Sequence, residues 1–82
     1  MVLHMPPHKY TSPGITVPPE FGPLLRVARI TGGVSLRALS AEAGVNHSHL
    51  GRFERGQVPV SHNLYSRAVL ALADLIANKA AA

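Results

Sequence analysis

The 82-residue chain contains no cysteine, which removes disulfides and thiolate metal sites as staples for a domain close to the minimum foldable size. Its core must therefore be compact or shared with a second subunit. Acidic residues are scarce as well. Glu20, Glu42, Glu54 and Asp74 are too scattered to form paired carboxylates, and no Ser/His/Asp set or glycine-rich phosphate loop accompanies them, so the reading is no enzyme and no cofactor. Long apolar runs are missing too: the longest, Ala68 to Ala73, falls far short of a bilayer span. The first ten residues hold Met5-Pro6-Pro7-His8 rather than the apolar stretch of a signal peptide. Together with the absent cysteine, these gaps lead to the expectation of a soluble cytoplasmic protein with no membrane partner.

Basic charge is what the chain does have. Eight Lys and Arg oppose four acids for a formal net charge of +4, and between Ala43 and Ala73 Glu54 stands alone against Arg52, Arg55 and Arg67. Such an excess suits a polyanionic partner, although charge alone serves solubility equally well. Position on the fold must decide between the two.

Proline divides the chain. Pro6, Pro7, Pro13, Pro18 and Pro19 make residues 1–19 a zone that supports neither regular helix nor central strand, so it reads as an extended N-terminal arm. Lys9 with His4, His8 and Tyr10 fits a contact along a nucleic-acid backbone, or a plain leader. "YTSPGITV" carries enough β-branched residues for a short edge strand, with a partner chain as one candidate for its pairing.

Helical periodicity takes over at Glu20, giving an expected folded domain over 20–79 and a tail over 80–82. The first helix is expected from about Glu20 to Ile30, with Phe21, Leu24, Leu25 and Ala28 at helical spacing and Gly32-Gly33 as its stop. Ser35 can cap a second, which turns Leu36, Leu39, Ser40 and Ala43 inward and ends at Gly44. Asn46 can cap a third, running over 46–55 and stopping at Gly56. The fourth is expected from Ser61 to Lys79 with an inner stripe of Leu64, Ala68, Leu72, Leu75 and Ile76, flanked by Tyr65 and Val69. No segment reads as a confident strand, so the fold class is all-α.

Two short helices joined by a few residues with glycine at the bend have the geometry of a helix-turn-helix, and Leu39, Ala43, Val45, Leu50 and Phe53 are spaced to converge on one core. The stretch "GVNHSHLGRFERG" then falls into place on a helical wheel of about 100° per residue. With Leu50 and Phe53 inward, Ser48, Arg52 and Arg55 point outward with Gly51 beside them, and His47 lies on the flank. A basic, low-bulk face of this kind suits the major groove of DNA, with Arg52 long enough to reach base edges. His47 and His49, about 200° apart on the helix, cannot chelate one ion, so no metal site is expected.

The run "LLRVARITGGVSLRALSAEAGVNHSHLGRFERGQVP" resembles the Cro/C1-type, or XRE-type, helix-turn-helix family of bacterial and phage regulators. The likeness lies in a Leu-Arg-x-x-Arg helix, a Ser-capped second helix, Gly-Val at the turn and Glu-Arg-Gly closing the third, and it spans about Phe21 to Leu75. It implies a four-helix, lambda-repressor-like domain, a structural pair of Arg29 with Glu54, and DNA contacts from Arg37, Asn46, His47, Ser48, Arg52 and Arg55. Leu36 departs from the pattern, since the family often places a polar, phosphate-contacting residue there. The implied role is a sequence-specific transcriptional regulator, Cro-like or a repressor, of a phage or mobile element, working at the bacterial nucleoid. An architectural or excision-directing DNA binder and an antitoxin-like protein-interaction module are the alternatives.

The fourth helix carries a second stripe, Ser66, Leu70, Ala73 and Ala77, away from its core side. Leu70, Ala73 and Ala77 form a candidate dimer face. A homodimer would place two third helices about 34 Å apart, matched to a palindromic operator in double-stranded DNA.

Overall fold

A computed structural model of the protein describes residues 15–81. Four α-helices follow a short strand: β1 (Thr16–Val17), a 3-10 turn over Pro19–Phe21, α1 (Gly22–Thr31), α2 (Leu36–Ala43), α3 (His47–Glu54), β2 (Val60–Ser61) and α4 (His62–Ala81). Side-chain caps define the helix starts. The Ser35 hydroxyl accepts from the Ala38 N–H at 3.0 Å, the Asn46 side-chain oxygen from the His49 N–H at 2.8 Å, and the Ser61 hydroxyl from the Leu64 N–H at 3.0 Å. Each satisfies a donor that the first turn of a helix leaves free.

The turn between α2 and α3 is set by backbone bonds. Gly44 takes the left-handed conformation (φ 69°, ψ 39°), which lets the Val45 N–H reach back to the Ser40 carbonyl at 3.0 Å. The same six-residue closure, Val34 to Arg29 and Gln57 to Arg52, ends α1 and α3. Three helices therefore stop by one device.

Leu39, Leu50, Phe53, Val60 and Ala68 form the most buried part of the core, with Leu25, Val34, Ala43, Ala71 and Leu72 around them. α2 lies chiefly on α4, while α3 packs on α1 and α2. At Gly22 the backbones of α1 and α3 approach so closely that a Cβ would overlap the Phe53 carbonyl oxygen. Tyr65 links core to rim, meeting Phe53 edge-on at 6.0 Å and Phe21 at 6.4 Å between ring centroids.

Three features differ from the sequence reading. First, α1 begins at Gly22 after the 3-10 turn, and of its expected inward set only Leu25 is buried; Phe21, Leu24 and Ala28 are exposed, whereas Arg29 turns in. The reason is that α1 has a close helix neighbour on one narrow side only, the one defined by Gly22, Leu25 and Arg29. Second, Thr16 and Val17 pair antiparallel with Ser61 and Val60 of the same chain, and Val17 is buried. The edge strand thus finds its partner within the chain, and the part of "YTSPGITV" over 10–14, like the remainder of residues 1–14, lies outside the described residues. Third, α4 continues through Ala80 to Ala81, and Ile76 sits at the edge of its buried side.

Candidate nucleic-acid interface

α3 owes its position to its buried side. Leu50 and Phe53 enter the core, and Glu54 follows them, where it meets Arg29. The Arg29 Nε donates to Glu54 Oε1 and Oε2 at 3.1 and 2.8 Å, its Nη2 to Oε1 at 2.8 Å, and its Nη1 to the Val34 carbonyl at 3.0 Å. One guanidinium thus fastens α1, the loop after it and α3. With Glu54 at 2% exposure and Arg29 at 9%, either charge left alone would be uncompensated in a nearly dry site, a loss of about 3–5 kcal/mol.

The opposite side of α3 is open. Asn46, His47, Ser48, Arg52 and Arg55 are all exposed, and they follow one another along that side from the N-cap to the C-cap. Asn46 spends its side-chain oxygen on the cap, which leaves the amide NH2 as the group it can offer outward. Arg52 stands in the last turn, where the helix dipole favours a cation. Arg37 projects separately, from the second residue of α2, and is also exposed. Among the described residues the ion pair is Arg29–Glu54, so Arg37, Arg52 and Arg55 carry uncompensated charge.

Gly51 departs from the expected arrangement. It is buried rather than outward, and a Cβ there would lie 3.2 Å from Leu36 Cδ2 and 3.6 Å from Arg55 Nη1. The covered arc of α3 is wider than Leu50 and Phe53 alone require, because α1 and α2 both press on it. Gly51 therefore serves the crossing with α2, and the outer face is built by Ser48 and the arginines.

Arg67 is a contributor that sequence reasoning did not single out. Its Nη2 donates to the Gly44 carbonyl at 3.2 Å, tying α4 to the turn. No local signal marks this contact, since it joins residues 23 apart in sequence. Leu70, Ala73 and Ala77 lie elsewhere, exposed along α4.

Two helices braced at a glycine turn, with a packed inner side and an open basic outer side on the second, define a helix-turn-helix DNA-binding protein. A family model described as a helix-turn-helix domain matches residues 20–77, and the chain belongs to that family, which falls in the XRE/Cro-like group. Comparison with curated proteins and with solved structures returns no match. None of the described helices is long and apolar enough to cross a membrane.

Proposed function

We propose that the protein is a sequence-specific transcriptional regulator of the Cro-like or repressor kind, from a phage or mobile element, that occupies a palindromic operator as a homodimer. The observation that carries the reading is the open side of α3: Ser48 is small enough to let the helix approach base edges, and Arg52 beside it is exposed and without an ion pair among the described residues. In this reading Arg52 reads a base, His47 and Asn46 donate at the N-terminal end of the helix, and Arg37 and Arg55 hold phosphates. Arg29 and Glu54 position α3 without touching DNA.

The dimer is supported by α4, whose outward stripe has Leu70 at 67% exposure with Ala73 and Ala77 on the same side. An exposed leucine on an uncharged stripe of small residues gains by being covered. The test is selection of bound fragments from random double-stranded DNA at fixed salt, followed by affinity measured across a salt series. A recovered inverted repeat bound by two protomers is expected. Recovery of no preferred sequence would overturn the reading.

A further inference from the structure

Arg26 has no assigned task in the turn, the core or the outer side of α3. It is exposed on α1 and, with Arg55, lines an open recess of about 190 Å³ whose remaining walls are Leu36, Gly51 and the Arg29–Glu54 pair. Charge in that recess is unbalanced. Both oxygens of Glu54 are engaged by Arg29, and no carboxylate lies within ion-pair distance of Arg26 or Arg55 among the described residues. Two guanidiniums facing one recess repel each other unless an anion joins them.

The walls favour such an anion. Leu36 is the first residue of α2, so the recess lies at a helix N-terminus, where the dipole favours negative charge. Gly51 presents no side chain, and a Cβ there would come within 3.6 Å of Arg55 Nη1. The recess thus has room where Arg55 folds over α3. Its α3 wall is formed by Gly51, Glu54 and Arg55, and Arg52, next to Gly51 in the chain, is exposed on the open side of that helix.

We infer that Arg26 and Arg55 together clamp one backbone phosphate of the duplex, at the edge of the groove that α3 enters, which makes Arg26 a DNA-binding residue supplied by α1. The inference rests on the proposed DNA-binding function. A phosphodiester offers two unbridged oxygens sharing one negative charge, and a planar guanidinium can engage each. Contacts of this kind hold the protein in register and carry no base preference.

The experiment compares the wild type with Arg26→Ala, Arg55→Ala and the double variant, each titrated over a salt series with the selected duplex and with an unrelated duplex of equal length. Arg26→Ala and Arg55→Ala are each expected to weaken both duplexes by the same factor while leaving the slope of log affinity against log salt close to that of the wild type, because the remaining guanidinium still neutralises the shared phosphate. The double variant is expected to lose about 0.9 from the slope, the share of one phosphate, because both charges serve one anion. Arg26→Lys, which keeps the charge, is expected to bind more tightly than Arg26→Ala. An Arg26→Ala variant that binds as tightly as the wild type, or a double variant whose slope falls by twice the share of one phosphate, would overturn the clamp while leaving DNA binding intact. A wild type that binds neither duplex would overturn the proposed function, and the clamp with it.

Discussion

α3 and α4 both expose one side to water, yet the two sides differ in kind. The open side of α3 carries Ser48, Arg52 and the terminal Arg55, whereas the outward stripe of α4 carries Leu70, Ala73 and Ala77 with Val69 beside it. Charges border that stripe rather than form it: Arg67 and Asp74 share a recess with Leu70, Glu42 and Ala43 on the side facing α2. A hydrated guanidinium is stable in water and gains only from a polyanion, while an exposed leucine gains from any apolar cover. Exposure alone therefore says little, and the chemistry of the exposed atoms separates a nucleic-acid side from a protein side.

The sharpest way to break the comparison is to release α3 from its scaffold. Glu54→Ala is expected to cost about 3–5 kcal/mol by stranding the Arg29 charge, seen as a large fall in melting temperature. Any duplex the folded fraction still binds should have the wild-type sequence. An unchanged melting temperature would remove the ion pair from the account of how α3 is held.

On α4, Leu70→Glu is expected to cost the dimer about 1.5–3 kcal/mol per buried leucine, with sedimentation equilibrium as the measure and monomer stability unchanged within about 0.5 kcal/mol. If the variant self-associates like the wild type, the outward stripe of α4 is not the dimer face. On α3, Arg52→Ala is expected to lose about 1–3 kcal/mol of binding and to relax preference at one base pair, whereas Arg37→Ala should weaken all duplexes alike. Equal losses on every sequence for both variants would abolish that division of labour.

The smallest expected effect is internal. The Ser40 hydroxyl is buried where α2 crosses its neighbours and has no hydrogen-bond partner among the described residues. Ser40→Ala should therefore be neutral or stabilising by up to about 1 kcal/mol in thermal denaturation, since it removes an unsatisfied polar group. A marked loss of stability would reveal a partner for the hydroxyl in solution.

Features governed by near neighbours in the chain were legible in advance. Ser35 and Asn46 cap, Gly44 turns, and Leu39, Leu50 and Phe53 meet in the core, because a cap or a left-handed glycine acts within a turn of itself. Gly51 was less legible: a wheel built on Leu50 and Phe53 does not reveal that α1 and α2 both cover α3. Phe21, Leu24 and Ala28 show the same difficulty from the other direction. Their helical spacing is genuine, but nothing in it says that α1 has a close helix neighbour only along Gly22, Leu25 and Arg29.

By itself, the order of residues determined the four helical segments, their caps and stops, and the apolar positions of the turn. These rest on torsional preference and on hydrogen bonds spanning a few residues. Tertiary structure alone decided that Thr16–Val17 would pair with Val60–Ser61, that Arg67 would brace the Gly44 carbonyl, and that Arg26 and Arg55 would share a recess. Each of those relations joins segments distant in the chain, and their meeting depends on how whole helices pack, a quantity that no single stretch of sequence contains.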